Sequence, residues 1–185
     1  MKSEETITWY TKSMGEQEII EEIKIEDKAV GISNKKNRTN IVKQVKEEQR
    51  VIEDLYSKED ISTLEKIVEA ETTGEDFRSR VLVANVVLNR VKSKSFPNTV
   101  EEVVFQKTGN TYQFSPVYDG RYYKVTVSEV TKKAVQYAIK NADKTKGALY
   151  FANRHYADRK NMEWFDQNLR FLFSYGAHEF FTEKN

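Results

Sequence analysis

The chain of 185 residues is 38% hydrophobic and 32% charged, which suits one globular domain with an appendage. Its 30 Lys and Arg residues nearly balance 29 Asp and Glu residues, so the net charge gives no reason to expect a nucleic-acid partner. No run of about 18 apolar residues is present, so no membrane span is expected, and no signal peptide is visible at the start of the chain. The absence of cysteine excludes disulfide bonds and cysteine-based metal sites.

Residues 1–56 are interpreted as an N-terminal extension. They contain a polar, basic stretch at Ser33–Asn40 that is typical of a linker. From Ile41 to Tyr56, apolar residues recur at helical spacing and predict an amphipathic helix. This helix either packs on the following domain or pairs with a partner protein. Residues 1–60 are net acidic and the remainder is net basic, a balance that would suit an acidic polymer as the partner of the second part.

The compact domain is expected at residues 57–185, and its beginning predicts a helix. Ser62 and Glu65 have the spacing of a capping box, in which each residue satisfies a free backbone N–H of the first turn. The helix should end near Thr72, because a β-branched pair and then Gly74 follow.

Two more helices are predicted before residue 106. Asp76 can cap the first of them, and its buried stripe would consist of Phe77, Val81, Ala84, Leu88 and Val91. Thr99 and Glu102 form a second capping box, which should open a short helix through Phe105.

The remainder of the domain predicts a mixture of short elements. Alternation over Tyr122–Val127 indicates a strand. Thr126 and Glu129 should cap a helix that turns Val130, Ala134, Tyr137 and Ala138 inward. Ala148–Ala152 should be extended, and a short helix is expected near Leu169–Phe173. The fold class that follows is α+β, mainly helical with a small β element.

Glu71 is the most informative residue of the domain. Leu64, Val68 and Glu71 fall at positions i, i+4 and i+7, which place the carboxyl on the apolar face of a helix. Burial raises the pKa of a carboxyl and keeps it protonated near neutral pH, as a general acid requires. Spacing alone does not decide between this role and a tolerated structural carboxylate.

Glu75 and Asp76 lie directly after the predicted helix end. Cleavage of a glycosidic bond needs an acid for the leaving oxygen and commonly a second carboxylate. Glu75 could serve beside Glu71, but acidic residues also commonly charge and cap the first turn of the next helix.

The loop Gln113–Tyr123 combines aromatic and amide side chains, which suit the apolar faces and hydroxyl rims of sugars. The same aromatics could instead pack in the core of a hairpin. Asp119 and Gly120 indicate a turn first and a second catalytic carboxylate only second. His178 follows a glycine–alanine pair in an aromatic setting, where a structural histidine is the ordinary interpretation.

Several of these motifs, in this order, resemble the spore cortex-lytic cell wall hydrolase family of the SleB/CwlJ type. The match covers about residues 62–181, in six segments: AETTGE at Ala70–Glu75, VVLNRV at Val86–Val91, SFPNT at Ser95–Thr99, VVFQ at Val103–Gln106, QFSPVYDG at Gln113–Gly120 and GALYF at Gly147–Phe151. Trp164 and His178 continue the same pattern. The chain departs from it at Thr72–Thr73 and around Arg154–Met162.

The resemblance implies a lysozyme-like domain of the lytic transglycosylase type that acts on the glycan strands of peptidoglycan, without a metal or cofactor. Glu71 takes the position of the family's catalytic acid/base and Glu75 a supporting one. Candidate substrate-binding residues are Gln113, Phe114, Ser115, Tyr150 and His178. The resemblance places the protein outside the cytoplasm, in the cell wall or spore envelope. The alternatives are a muramidase-type hydrolase and a non-catalytic peptidoglycan-binding or adaptor module.

Overall fold

The computed structural model describes residue 50 and residues 55–184. The chain from Lys58 onward forms one compact unit. The predicted linker at 33–40 and nearly all of the predicted helix at 41–56 lie outside the described residues. Within the described part, no helix combines the length and the apolar composition needed to cross a membrane.

Helices account for most of the regular structure of this unit. They are α1 (Lys58–Glu71), α2 (Phe77–Lys92), α3 (Val100–Val104), α4 (Ser115–Tyr118), α5 (Glu129–Lys140) and α6 (Arg159–Asn168), with a single 3₁₀ turn at Arg121–Tyr123.

The β structure consists of two small antiparallel sheets. Strands β1 (Lys107–Thr108) and β2 (Thr111–Tyr112) form a hairpin, and β3 (Tyr150–Ala152), β4 (Leu169–Tyr175) and β5 (His178–Glu183) form a second sheet in the order β3-β5-β4. Tyr175 pairs with His178 across the two-residue turn between β4 and β5. This tight turn places His178 at the very start of β5, which is the central strand.

Helix α2 is the centre of the packing. Every residue from Ser79 to Leu88 is buried, so the helix is covered on all sides rather than along the single stripe predicted from the sequence. It packs between α1 and α5, and β3 lies against it. Leu82 and Val86 contact Phe180 of β5, which joins the helical layer to the sheet. Burial at this level stabilises each large apolar side chain by about 1.5–3 kcal/mol.

A buried polar network ties α1, α2 and α5 together. The Glu69 carboxylate accepts hydrogen bonds from the Ser128 N–H (2.9 Å), the Ser128 hydroxyl (2.7 Å) and the Thr131 hydroxyl (2.5 Å). The Arg80 guanidinium lies 3.2 Å from the same carboxylate, and both side chains are at most 10% exposed. Burial opposes ionisation of Glu69, but the hydroxyl and backbone donors and the Arg80 charge outweigh it and lower its pKa to about 2.

The local signals for helix ends are largely confirmed. Asp76 accepts a hydrogen bond from the Ser79 N–H and caps α2, and Thr99 accepts one from the Glu102 N–H and caps α3. The first helix ends at Glu71, as Gly74 with its positive φ of 82° indicates. Its start was predicted wrongly: α1 begins at Lys58, with acidic residues in its first turn, so the Ser62 capping box lies inside the helix.

Three predictions for the second half were wrong. Residues 122–127 form no strand, because a 3₁₀ turn occupies Arg121–Tyr123. Ser128, not Thr126, caps α5, since Glu69 of α1 binds the Ser128 N–H and hydroxyl and anchors the chain there. Val130 of the same helix, which was predicted to turn inward, is 47% exposed. Residues 169–173 belong to strand β4, because α6 is capped by Asp158 and ends at Asn168.

Candidate active site

Glu71 is the last residue of α1, and the chain turns sharply after it. The Thr72 hydroxyl donates to the Val68 carbonyl (2.6 Å) and the Thr73 hydroxyl to the Glu69 carbonyl (2.8 Å). The Val68 carbonyl also accepts the Thr72 N–H (3.0 Å), so the Thr72 hydroxyl adds a second bond to the last helical turn, and the Thr73 hydroxyl binds the next carbonyl. They give the β-branched pair Thr72–Thr73 a structural role in closing the helix behind Glu71.

The surroundings of Glu71 favour its protonated form. Its side chain is partly buried, and burial raises its pKa to about 7. The charges of Arg121 and Arg90 act against this rise, and those of Asp119 and Glu75 add to it. A carboxyl that titrates near neutrality can both donate and accept a proton at physiological pH, as general acid–base catalysis requires.

Arg121 joins the loop after α4 to the end of α1. Its Nη1 donates to the Ala70 carbonyl (2.8 Å), its Nε to Asp119 (2.9 Å) and its Nη2 to the Ser115 hydroxyl (3.2 Å). Gly120, with φ of 83°, supplies the left-handed turn between Asp119 and Arg121. Sequence analysis did not single out Arg121, although it lies in the loop Gln113–Tyr123 that was predicted to suit sugars, directly after the Asp119–Gly120 turn.

Arg90 is a buried cation behind the same site. It is 4% exposed and its Nε donates to the Leu149 carbonyl (2.7 Å), whereas its Nη1 has no hydrogen-bond partner within residues 55–184. Its guanidinium carbon lies 4.9–5.5 Å from the centroids of three rings, those of Phe96, Phe114 and Tyr150. Burial lowers the Arg90 pKa to about 10, against the opposing effects of Tyr150 and Glu71. Sequence analysis also missed this residue, since an Arg in a helix ordinarily faces solvent.

Glu75 and His178 meet although they are far apart in sequence. The Glu75 Oε1 lies 3.4 Å from Nδ1 of His178, whose side chain is 7% exposed. Within the described residues, Nδ1 of His178 and Oε2 of Glu75 are buried without a hydrogen-bond partner. Burial lowers the His178 pKa, and the Glu75 carboxylate opposes this. The pair therefore brings the loop after α1 against the start of β5.

The remaining predicted site residues fall into different environments. Gln113 is exposed, and its amide donates to the Thr108 hydroxyl (2.5 Å). Ser115 is exposed and bound to Arg121, as described above. Tyr150 is partly buried among aromatic rings. Phe114 is only 1% exposed and packs on the Arg90 guanidinium. Its ring is therefore part of the core that supports the site, and its predicted contact with substrate stays a prediction.

Comparison with known proteins identifies the family to which the chain belongs. The family model described as Cell Wall Hydrolase matches residues 74–181, more than half of the chain. The chain belongs to the cell wall hydrolase family. The resemblance predicted from the sequence motifs is thus confirmed. The segment matched by the family model begins three residues after Glu71, so the role of Glu71 is argued from its geometry.

Relatives in the cell wall hydrolase family include spore cortex-lytic enzymes. The one from Bacillus cereus is 44% identical over 105 residues, which cover 57% of this chain and 39% of that protein. The one from Bacillus subtilis (strain 168) is 37% identical over 98 residues, which cover 53% of this chain and 30% of that protein. The chain thus spans well under half the length of these relatives.

Two solved structures of this family resemble the fold. The catalytic domain of the germination-specific lytic transglycosylase SleB from Bacillus anthracis aligns with a TM-score of 0.59 and 39% identity, over 69% of this chain and 97% of that one. The catalytic domain of the Bacillus cereus SleB protein aligns with a TM-score of 0.58 and 38% identity, over 69% and 92%. The predicted fold class, a mainly helical α+β domain of the lysozyme-like type, is confirmed.

Proposed function

We propose that this protein cleaves the β-1,4 bond between N-acetylmuramic acid and N-acetylglucosamine in peptidoglycan, with Glu71 as the acid/base, as a lytic transglycosylase of the cell wall or spore envelope. One observation carries the proposal: a partly buried carboxyl at the end of α1 whose pKa is raised to about 7 by burial, with two arginines nearby. The similarity to SleB, whose structure is titled a germination-specific lytic transglycosylase, supports it.

In this mechanism a single group, Glu71, first donates a proton and then accepts one. Protonated Glu71 donates its proton to the glycosidic oxygen as the bond from that oxygen to the muramyl C1 breaks. The resulting Glu71 carboxylate takes the proton of the muramyl C6 hydroxyl while that oxygen attacks C1. The product carries a 1,6-anhydromuramyl end, no water is consumed, and Glu71 is protonated again. Arg121 and Arg90 stabilise the carboxylate during the interval in which it is charged.

The nearby carboxylates favour this intramolecular route over hydrolysis. A hydrolase generally needs a second carboxylate that activates water or attacks the sugar. Asp119 accepts two hydrogen bonds from Arg121, and Glu75 faces His178. Asp119 is thus paired with Arg121, and Glu75 lies beside a buried histidine. Glu75 remains the carboxylate that a muramidase mechanism would use, and this is the second candidate function.

A peptidoglycan digest tests the proposal. Wild type, Glu71→Gln and Glu65→Gln would each be incubated with spore cortex and with vegetative wall, and the products read by mass spectrometry. Glu65 is a matched control because it lies on the same helix, is partly buried and also has a pKa raised by burial. We expect 1,6-anhydromuramyl products from wild type and Glu65→Gln and none from Glu71→Gln.

The other outcomes of this digest are equally informative. Reducing muramyl ends would identify a muramidase and direct attention to Glu75. Activity retained in Glu71→Gln would refute the assignment of the acid/base. Absence of cleavage with both wall preparations would contradict an enzymatic role and favour a peptidoglycan-binding module.

We also propose that residues 57–185 suffice for this activity. The solved catalytic domains that resemble the chain align with 69% of it, which supports a separable domain. A chain without residues 1–56 should therefore digest peptidoglycan at the rate of the full chain. If the extension binds a partner protein, its removal should abolish that binding and leave digestion unchanged.

A further inference from the structure

The turn at residues 119–121 is bound to the end of α1 beside Glu71. Arg121 distributes its guanidinium N–H groups over three acceptors, namely the Ala70 carbonyl, the Asp119 carboxylate and the Ser115 hydroxyl. The Asp119 carboxylate also accepts the backbone N–H of Arg121 at 3.0 Å. All three nitrogens of the Arg121 guanidinium therefore donate hydrogen bonds, although the side chain is 50% exposed.

The bond to Ala70 has a direct geometric consequence. The Ala70 carbonyl belongs to the peptide unit that joins Ala70 to Glu71, so the bond fixes the plane from which the Glu71 side chain departs. Carbonyls of a last helical turn lack intrahelical partners, and cations are favoured there by the helix dipole. Arg121 thus supplies a donor to a carbonyl of the last turn and a positive charge at the negative end of the helix dipole.

Charges of both signs surround Glu71. Arg121 and Asp119 belong to the turn, Arg90 projects from α2, and Glu75 lies in the loop after α1. Arg121 and Asp119 act on Glu71 with opposite signs, although a single ion pair of 2.9 Å joins them. Removal of either partner should therefore leave the other uncompensated next to the same carboxyl.

We propose that Arg121 is the positioning residue that orients Glu71, and that Asp119 holds Arg121 in place while offsetting its charge. The positioning part of this inference, that Arg121 orients Glu71 for catalysis, rests on the proposed function. The charge part, that Arg121 and Asp119 act on Glu71 with opposite signs, does not, because the Glu71 carboxyl titrates with or without substrate.

Carboxyl titration tests the charge part directly. The ¹³C carboxyl resonance of Glu71 would be followed against pH by NMR in the full-length chain and in single variants. In Arg121→Gln, Asp119 is left alone and the midpoint of Glu71 should move upward. In Asp119→Asn, Arg121 is left uncompensated and the midpoint should move downward. Arg121→Lys keeps the charge and should stay near the wild-type midpoint.

A control pair separates this effect from any general change of charge. Arg159 and Glu163 form an exposed ion pair on α6 at 3.3 Å, and neither is among the charges that act on Glu71. Arg159→Gln and Glu163→Gln should leave the midpoint unchanged. Midpoints that move in the same direction in Arg121→Gln and Asp119→Asn, or that do not move, would overturn the proposal. Loss of packing that exposed Glu71 would lower its midpoint in both variants, because burial is what raises its pKa.

The positioning part is tested by kinetics on peptidoglycan. Arg121→Lys lacks the planar fork that reaches three acceptors, so its kcat should fall while its KM stays close to wild type. The alkaline limb of the pH–rate profile should move in the same direction as the titration midpoint in each variant. An unchanged kcat in Arg121→Lys would refute the positioning role. Opposite midpoint shifts in a protein that digests no wall preparation would support the charge part and refute the proposed function.

Discussion

Replacement of Glu69 by Gln should destabilise the protein in a strongly pH-dependent manner. The Glu69 carboxylate binds the Arg80 guanidinium and the donors of Ser128 and Thr131 inside the helical layer. Glutamine has nearly the same shape but carries no charge, and its amide group places N–H donors where the carboxylate accepted. Arg80 would keep its positive charge in a buried position, without the carboxylate that compensates it.

The magnitude follows from the shifted pKa of Glu69. A decrease from 4.5 to about 2 corresponds to about 3 kcal/mol of unfolding free energy, at about 1.4 kcal/mol per pH unit. Loss of one partner from a buried ion pair costs about 3–5 kcal/mol in other proteins, which agrees. Because the pKa is lower in the folded state, this stabilisation is complete above about pH 4.5 and is lost as the pH falls through about 2.

Urea unfolding at two pH values measures this effect. Wild type and Glu69→Gln should differ by about 3 kcal/mol near pH 7 and by about 2 kcal/mol less near pH 3, where the unfolded-state carboxyl is mostly protonated. Glu163→Gln, on the surface of α6, is a suitable control because exposed ion pairs contribute about 0–1 kcal/mol. A difference between wild type and Glu69→Gln that is equal at both pH values would refute the assignment of Glu69 as a buried, ionised group.

Two further predictions concern the histidine in β5 and the cap of α5. Because burial lowers the pKa of His178 below 6.5, the unfolded state binds the proton more readily, and unfolding free energy should fall as the pH decreases below 6.5. His178→Asn should reduce this fall, whereas His155→Asn, which alters an exposed loop, should retain it; identical pH profiles for the two variants would contradict the assignment. Ser128→Ala should lower the unfolding free energy by about 1–2 kcal/mol through loss of the cap and of the partly buried bond to Glu69. Thr126→Ala should change it by less than about 0.5 kcal/mol, and equal losses in urea unfolding would show that Ser128 is not the cap.

Local chemistry made part of the fold predictable. The side chains of Asp76 and Thr99 each accept a hydrogen bond from the backbone N–H three residues later. The capping residue and the N–H that it binds therefore lie within one helical turn and can be recognised from local sequence. Gly74 marks the turn after α1 because its backbone is left-handed, a conformation that glycine adopts more readily than other residues. The position of Glu71 on the apolar face followed from helical periodicity alone.

The same reasoning failed where a distant group competed with a local one. Thr126 and Ser128 are both plausible caps by sequence. Ser128 is the cap in the structure, where its N–H and hydroxyl donate to Glu69 of α1. Leu169–Phe173 could form a helix or a strand, because short aromatic runs suit both. Pairing of Phe171 and Phe173 with β5 decides for a strand. In each case the deciding contact comes from another element, which no local window includes.

The sequence by itself determined the family, the fold class and the residue proposed as the acid/base, because motif order and helical periodicity are properties of the chain. Only the tertiary structure decided the electrostatics of that residue. Arg121 reaches the Ala70 carbonyl from 51 residues away, and Glu75 meets His178 across more than half of the domain. Burial and charge depend on the distances between such side chains, and those distances exist only once the helices and the sheet have packed together.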